Sequence, residues 1–414
     1  MVSRGTGRIW PARALIAFAL AGSLVLTGCQ GGDSSGRSRA GTDAHGADPC
    51  DALTRTRSLC RTITLGDRTF RYALTRATTT RKTAVVDVGG PGVAPLGSAY
   101  PRDLVRDLGA VNVLVIDEPW TTAAPVAGCD SALTQWYADL RLRWPQPADD
   151  ATLRTVARTC RLFEGDDRWT LGPHTYRALV RAIAAREHLD LTEFYGFSFG
   201  SVRWGATADM FKGGVLVSPF PTGMTAARYL ALRAGVRPPA IDPDVLGIRP
   251  LGRSLDVVPL DVDAARLEAL YLAPGARDRM FAGRDRATLV GRLSDQLLGR
   301  YGTDSVSHAL LAYWDGTCGA VDSWPAAGVS HRYGLPGELL RICSLQQDTM
   351  PMAGSYASRP PTCVAVARGD GIVPERATTW LTSRPGWPAP IVVAGGHATS
   401  AGLTACRARS RAGG

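Results

Sequence analysis

The residues best suited to chemistry are a serine, an aspartate and a histidine that follow one another along the chain. Ser198 lies at the centre of a G-x-S-x-G pattern, residues 196–200. A serine in this pattern can sit on a sharp strand-to-helix turn that exposes its hydroxyl, and the flanking glycines remove bulk where the turn is crowded. An apolar stretch precedes the pattern and a helix-compatible stretch follows it. This context favours a nucleophile at Ser198 over an ordinary serine in a glycine-rich turn.

A serine hydroxyl needs a base to take its proton, and the chain has 6 histidines. His397 follows an apolar run near the end of the chain, and the loop after a strand is where α/β sheets place catalytic groups. The other histidines lie in the N-terminal region or in helical and loop contexts before any late strand: His45, His174, His188, His308 and His331. We predict His397 as the base, the alternative being a surface histidine on a glycine-rich loop.

The base in turn needs an acid that fixes its tautomer and stabilises its charged form. Asp370 follows the apolar residues 362–367 and lies between the serine and the histidine in chain order. That order is the one that accompanies G-x-S-x-G in hydrolases. Asp370 is therefore predicted as the acid, and the competing interpretation is a turn aspartate beside glycine.

An acyl-transfer site also needs donors for the oxyanion that develops during reaction. The backbone N–H of Phe199 directly follows the nucleophile, and Gly90 lies in a Gly-Gly-Pro-Gly loop after an apolar run, residues 89–92. Glycine permits close approach of backbone to substrate, although a plain Pro-Gly turn is the alternative. We predict Gly90 and Phe199 as the oxyanion hole. Cysteine and histidine spacing indicates no metal site, and no cofactor is expected.

The elements that must position these residues follow an α/β pattern. Residues 60–66 and 69–78 alternate polar and apolar side chains around Gly66 and Asp67, which predicts a hairpin. Continuous apolar runs are typical of strands buried on both faces of a parallel sheet. Such runs predict strands at residues 83–88, 111–116, 191–195, 215–217, 362–367 and 390–394. Helices are predicted at residues 175–187, 375–382 and 398–409.

Strand signals disappear between residues 221 and 361, where the apolar pattern has helical period. Helices are predicted there at residues 224–234, 264–280, 286–301 and 306–315. The sequence thus predicts an α/β fold with a mostly parallel central sheet, helices on both faces and an inserted helical cap. The predicted organisation is a core at residues 49–220, the cap at 221–361 and the rest of the core at 362–414.

The N-terminal region has the pattern of an export signal. Arginines precede an apolar run, residues 14–26, that is too short for a comfortable transmembrane span, and the run ends in Leu-Thr-Gly before Cys29. This ending resembles the lipobox of bacterial lipoproteins, so residues 1–29 are predicted to be a signal whose cysteine becomes lipidated. Residues 30–48 are rich in glycine and serine and predict a flexible tether. The domain is expected outside the cytoplasm, lipid-anchored to the outer face of the plasma membrane, with an ordinary secretory signal as the alternative.

The cysteine count agrees with export. The chain has 9 cysteines, and lipidation of one leaves an even set that can form disulfides in an oxidising compartment. That set comprises Cys50, Cys60, Cys129, Cys160, Cys318, Cys343, Cys363 and Cys406. Nearest-neighbour pairing is a guess only, since eight cysteines allow many connectivities. The formal net charge of +10 comes from scattered arginines without a dense basic run, and no nucleic-acid partner is expected.

Four motifs in order resemble the α/β-hydrolase superfamily: Gly-Gly-Pro-Gly, Gly-Phe-Ser-Phe-Gly, Gly-Asp-Gly-Ile-Val-Pro at 369–374 and Gly-Gly-His at 395–397. More closely, they resemble the secreted prolyl and tripeptidyl aminopeptidase-like branch, over roughly residues 60–409. The resemblance implies an α/β-hydrolase fold and the same nucleophile, acid, base and oxyanion hole as above. It also implies peptide substrates with a free N-terminus, cleaved through an acyl-enzyme without metal or cofactor, and amine-binding acids in the cap.

One loop departs from the family pattern. Relatives commonly have Asp-x-Arg-Gly after the second buried strand, where this chain has Asp-Glu-Pro-Trp at residues 117–120. The change puts substrate choice in doubt more than the triad. Glu118 is a conceivable amine binder, although the sequence favours a structural role. Two other functions stay open: a carboxylesterase or lipase of the same fold that acts on a small ester or amide, and a non-catalytic surface binding protein on a hydrolase scaffold.

Overall fold

The structure is a computed structural model that describes residues 58–77, 80–97, 108, 111–165, 167–250, 253–283, 285–300, 306–324, 332–346, 360–397 and 399–412. The predicted signal, the lipidation site Cys29 and the tether lie outside these residues, as does Cys50.

One sheet of eight strands organises the described chain, in the spatial order β1-β2-β4-β3-β5-β6-β7-β8. The strands are β1 (Ser58–Leu65), β2 (Arg68–Thr75), β3 (Lys82–Asp87), β4 (Asn112–Ile116), β5 (Asp190–Phe197), β6 (Gly213–Val217), β7 (Thr362–Ala367) and β8 (Ile391–Val393). Strand β2 is antiparallel to both of its neighbours, and all the other pairs are parallel. The predicted hairpin and the predicted buried strands are confirmed, and their ends agree with the structure to within three residues.

Helices cover both faces of this sheet, and others lie between β6 and β7. The described helices are α1 (Cys129–Arg143), α2 (Asp150–Thr159), α3 (Pro173–Glu187), α4 (Gly200–Thr207), α5 (Ala226–Ala234), α6 (Pro259–Glu268), α7 (Pro274–Met280), α8 (Arg286–Leu297), α9 (Ala309–Ala320), α10 (Gly334–Leu339), α11 (Glu375–Thr382) and α12 (Ser400–Ala412). Helices α3 and α4 pack on one face, with Ile183 and Trp204 against Val85 and Leu114. On the other face Leu403 of α12 packs against alternate strand residues.

The strand order and the single antiparallel strand next to the β1 edge are those of the α/β-hydrolase fold, as predicted. Parallel strands are connected through helices, so their carboxyl ends meet at one edge, where open α/β sheets bind ligands. Strands β3, β5, β7 and β8 lead into the glycine loop, Ser198, Asp370 and the loop that carries His397. The fold therefore brings the sequence-predicted residues to the same edge.

The regular elements described between β6 and β7 are all helices, and we refer to α5 to α10 as the cap. Helices α1 and α2, which precede β5, share an apolar core with the cap; the ring centroids of Trp136 and Trp314 lie 5.1 Å apart. The prediction of one helix over residues 264–280 is wrong. Helix α6 ends at Glu268, and Pro274 begins α7, because proline has no N–H for the helix interior but is tolerated in the first turn.

Three disulfides link near neighbours along the chain: Cys129–Cys160, Cys318–Cys343 and Cys363–Cys406. The first joins the start of α1 to the end of α2, the second joins α9 to the segment that follows α10, and the third joins β7 to α12. Cys60 is also disulfide-bonded. The guessed nearest-neighbour pairing is confirmed for the three bridges. None of the helices in the described part of the chain combines the length and the apolar character needed to cross a membrane.

Candidate active site

Ser198 occupies a strained turn between β5 and α4. Its φ is 49°, in the left-handed region that non-glycine residues rarely adopt. The turn is held from both sides, because Ser198 N–H donates to the Val217 carbonyl at 3.0 Å, and the Ser198 carbonyl accepts from Phe220 N–H at 3.1 Å. Ser201 Oγ donates to the same carbonyl at 2.9 Å. Such over-determined strain clusters at functional sites and fits the predicted nucleophile elbow.

The glycines around the elbow are required by contact. A Cβ on Gly196 would lie 2.7 Å from Phe194 Cε1, and one on Gly200 would lie 2.9 Å from the Asp87 carbonyl oxygen. Gly89 is tighter still, because a Cβ there would lie 2.2 Å from the Phe197 carbonyl oxygen. The turn therefore packs directly against the end of β3 and the glycine loop that follows it.

Asp370 and His397 form a hydrogen-bonded pair at the same edge of the sheet. His397 Nδ1 lies 2.9 Å from Asp370 Oδ2, and the two side chains are almost completely buried. Asp370 Oδ1 also accepts from Ile372 N–H and Val373 N–H, both at 2.9 Å. These two backbone donors hold the carboxylate in the orientation that meets the imidazole. With Nδ1 engaged by a carboxylate, Nε2 is free to accept a proton, which is the arrangement that a general base requires.

The cap packs onto the loops that carry these two residues. His397 N–H donates to the Tyr271 carbonyl at 2.8 Å, and the two rings meet edge to face with centroids 5.2 Å apart. The guanidinium of Arg277 donates to the carbonyls of Leu270 and Gly369. The start of α7 and the turn before it therefore hold the loops of Asp370 and His397 in place, and the sequence offered no sign of this.

The proposed oxyanion donors lie under another cap helix. Phe199 directly precedes α4, and the backbone N–H groups at a helix N-terminus have no partner within the helix. Gly90, with φ 115°, belongs to the glycine loop beside the elbow. Helix α9 closes over both, because a Cβ on Gly316 would lie 2.5 Å from Pro91 Cγ and 3.2 Å from Phe199 Cζ. The arrangement can present two N–H groups beside Ser198 Oγ in a covered site.

Arg203, a buried arginine that sequence reasoning missed, connects the helix after Ser198 to two neighbouring loops. Arg203 of α4 donates to Asp87 Oδ2 at 3.1 Å and forms a short ion pair with Glu118 Oε1. Asp87 in turn accepts from Gly89 N–H at 2.9 Å, and Glu118 Oε2 accepts from Leu171 N–H at 3.2 Å. Burial opposes the charge of Arg203, but the two carboxylates outweigh it and raise the guanidinium pKa.

This cluster explains the unusual Asp-Glu-Pro-Trp loop. Glu118 is 2% exposed and is a partner of Arg203, so its contacts are structural and leave it no access to a substrate amine. Through Arg203, the loop after β4 is tied to α4 and to the glycine loop. In the sequence, the only sign of this cluster is an isolated arginine five residues after the predicted nucleophile.

We expect Arg203→Met to destabilise the protein by about 3–5 kcal/mol, because it leaves Asp87 and Glu118 buried without a counter-ion. Urea unfolding followed by circular dichroism measures the difference. The matched control is Arg177→Met on the neighbouring helix α3, which removes a more exposed ion pair with Asp209 and should cost about 1 kcal/mol or less. Equal stability of the two variants would contradict the proposed role of the cluster.

Comparison with known proteins adds little beyond the fold. No protein-family model matches the sequence, and no curated protein matches it either. Among solved structures, an esterase from Exiguobacterium antarcticum is similar with a TM-score of 0.40 and 10% identity, covering 86% of this chain and 98% of that chain. A meta-cleavage product hydrolase from Pseudomonas fluorescens has a TM-score of 0.41 and 14% identity, covering 84% and 94%. Identities of this size carry no information on substrate.

Proposed function

We propose that the protein is a serine hydrolase in which Ser198 attacks an acyl group, His397 acts as general base and Asp370 orients the histidine. The observation that carries this proposal is the buried Asp370–His397 pair at the sheet edge where Ser198 occupies its strained turn. Gly90 and Phe199 would donate to the oxyanion. Attack by Ser198 Oγ passes its proton to His397, which then returns it to the leaving group, and water hydrolyses the acyl-enzyme by the same route.

We further propose an aminopeptidase-like substrate, a peptide with a free N-terminus. A carboxylate of the cap supports this choice. Glu268 ends α6, one turn before Tyr271, whose ring packs on His397. Glu268 has no hydrogen-bond or ion-pair partner in the described chain, and burial raises its pKa from 4.5 to about 8. A partly buried carboxyl group that lacks a described partner and lies one turn from the tyrosine that packs on His397 is suited to receive a substrate ammonium.

The protein would act outside the cytoplasm. Three disulfides are consistent with an oxidising compartment, and anchoring through a lipidated Cys29 is our proposal from the sequence. Treating intact cells with a protease that cannot enter them would test this placement. Loss of the full-length protein from intact cells is expected, whereas survival until the cells are lysed would overturn it.

Matched substrates test the substrate class. Alanine p-nitroanilide carries a free amine, N-acetylalanine p-nitroanilide does not, and p-nitrophenyl butyrate is a simple ester. We expect the free-amine anilide to have a kcat/KM well above that of its acetylated counterpart. Turnover of the ester with both anilides left intact would instead establish a carboxylesterase of the same fold.

We expect Glu268→Gln to lower kcat/KM for the free-amine anilide by roughly tenfold to a hundredfold, because a charged hydrogen bond is lost. The acetylated anilide should be hydrolysed equally by both proteins. The control is Glu375→Gln, a carboxylate at the start of α11 outside the proposed site. An equal loss on both anilides would show that Glu268 does not bind the amine.

The same variant has a predicted pH signature in stability. Because the pKa of Glu268 is about 8 in the folded protein and near 4.5 when unfolded, folding disfavours its ionised form. The resulting penalty is absent below pH 4.5, grows as the pH rises, and is complete above about pH 8. We therefore expect Glu268→Gln to unfold at a higher temperature than wild type, by a margin that widens from pH 5 to pH 8. A constant margin would contradict the burial of this carboxyl.

A further inference from the structure

Arg233, in the last turn of α5, is a buried cation without a carboxylate partner in the described chain. It is 6% exposed, and among the described residues its Nε has no hydrogen-bond partner. The other buried arginines of the described residues are satisfied differently. Arg203, Arg253 and Arg300 form ion pairs with carboxylates, and Arg277 donates to backbone carbonyls. Arg233 is the exception, because no acid in the part of the chain that the structure describes balances its charge.

Three tyrosines surround Arg233. Its guanidinium carbon lies 5.6 Å from the ring centroid of Tyr229, and the hydroxyl of Tyr313 interacts with it electrostatically. The third is Tyr271, which lies within electrostatic range of the guanidinium. Burial raises the pKa of Tyr229 and of Tyr271, so their hydroxyls stay neutral and supply no negative charge. The positive charge of Arg233 is therefore left uncompensated by its neighbours.

Each tyrosine is tied to a different loop of the proposed site. Tyr229 Oη donates to the carbonyl of Ile372, two residues after the acid, at 3.0 Å. Tyr271 packs its ring on the base. The backbone N of Tyr313 lies 3.4 Å from where a Cβ on Gly92 would stand, in the glycine loop. The three neighbours of Arg233 therefore contact the loops of Asp370 and His397 and the glycine loop, which puts Arg233 on the cap side of the proposed site.

A buried cation without a counter-ion costs folding free energy, and removing such a group often stabilises a protein. A functional reason for keeping it is a ligand that supplies the missing charge. The planar guanidinium matches a carboxylate in two parallel hydrogen bonds, and one guanidinium balances one negative charge.

We propose that Arg233 binds a carboxylate of the substrate beside the triad. The proposal rests on the hydrolase function above and deepens it, because it names the chemical class of substrate: a short peptide that carries a carboxylate close to the scissile bond. The same chemistry has two sources, an acidic side chain or the C-terminal carboxylate of the peptide. With Glu268 receiving the amine, a small zwitterionic peptide would have both of its charges matched.

Binding to the Ser198→Ala protein, measured by calorimetry, tests this without requiring turnover. Alanyl-alanine against its C-terminal amide tests the terminal carboxylate. Glutamyl-alanine amide against glutaminyl-alanine amide tests the side chain. We expect the carboxylate form in one of the pairs to bind roughly tenfold to a hundredfold more tightly than its neutral counterpart. Introducing Arg233→Met should remove this preference, whereas Arg228→Met, an exposed arginine on the same helix, should leave it intact.

Thermal unfolding separates this role from a purely structural one. We expect Arg233→Met to unfold at the wild-type temperature or above it, since it removes an uncompensated buried charge. The proposal is overturned if neither pair shows a carboxylate preference, or if the preference survives in Arg233→Met. If the carboxylate preference is found but wild type hydrolyses no amide or ester, the hydrolase proposal fails while anion binding stands. If amides are hydrolysed with no carboxylate preference, only the role of Arg233 fails.

Discussion

Replacing Ser198 with alanine should lower kcat by roughly 10⁵-fold to 10⁶-fold, the largest effect expected of any single change in this chain. The alanine leaves His397 and Asp370 in place but removes the atom that would form the acyl-enzyme. What remains is binding and oxyanion stabilisation, which retain only a small part of the rate enhancement. A fluorophosphonate probe measures the same event without knowledge of the substrate, because it labels an activated serine. Labelling of wild type and none of Ser198→Ala is the expected result.

The matched control for this variant is Ser218→Ala. Ser218 directly follows the neighbouring strand β6 at the same edge of the sheet, is buried, and has φ 50°, close to the 49° of Ser198. It therefore shares the backbone conformation of the proposed nucleophile but has no place in the proposed mechanism. Full labelling of Ser218→Ala is expected. A folded wild type that takes no label would instead support a binding protein on a hydrolase scaffold.

The second large effect is expected for Asp370→Asn, which should lower kcat by roughly 10⁴-fold while the fold is retained. The asparagine oxygen can still accept from Ile372 N–H and Val373 N–H, which leaves its NH₂ group facing His397 Nδ1. Nδ1 must then be an acceptor, so the proton moves to Nε2. A neutral histidine that carries its proton on Nε2 cannot take the proton of Ser198. The variant therefore loses activity because its histidine is held in the wrong tautomer.

Asp278→Asn is the control, because Asp278 is an exposed aspartate on α7, the helix that packs on the loop of Asp370. It should retain wild-type activity. Both proteins are compared by steady-state kinetics after circular dichroism has shown equal folding. Activity of Asp370→Asn within tenfold of wild type would remove Asp370 from the mechanism and leave its role as a turn aspartate.

The sheet was predictable because its signals are local. Parallel strands buried on both faces appear as continuous apolar runs. The hairpin is indicated by Gly66 and Asp67 between two segments of alternating polar and apolar residues. The triad candidates were predictable for the same reason, since each follows a strand in a short recognisable motif. The cap helices were harder. A helical period continues through residues 264–280 and predicts a single helix. Pro274 is the local signal for two helices, because proline is tolerated in the first turn of a helix but not in its interior.

The residues missed by sequence reasoning act through partners that are remote in sequence. Arg203 meets Glu118 across 85 positions and Asp87 across 116, and no spacing rule connects them. Helices α1 and α2 pack with the cap although α3, β5, α4 and β6 separate them from it along the chain. Glu268 and Arg233 stand out only in the structure, because it shows that no described group of opposite charge pairs with either side chain.

The α/β class, the positions of the strands and the order of the proposed nucleophile, acid and base follow from the sequence, because periodicity and turn motifs report on neighbours along the chain. How these residues are held and covered depends on the folded chain. Ion pairs, burial and uncompensated charge depend on which distant segments meet. The proposed chemistry could therefore be predicted from the sequence, whereas the groups proposed to select the substrate, Glu268 and Arg233, could be found only in the folded chain.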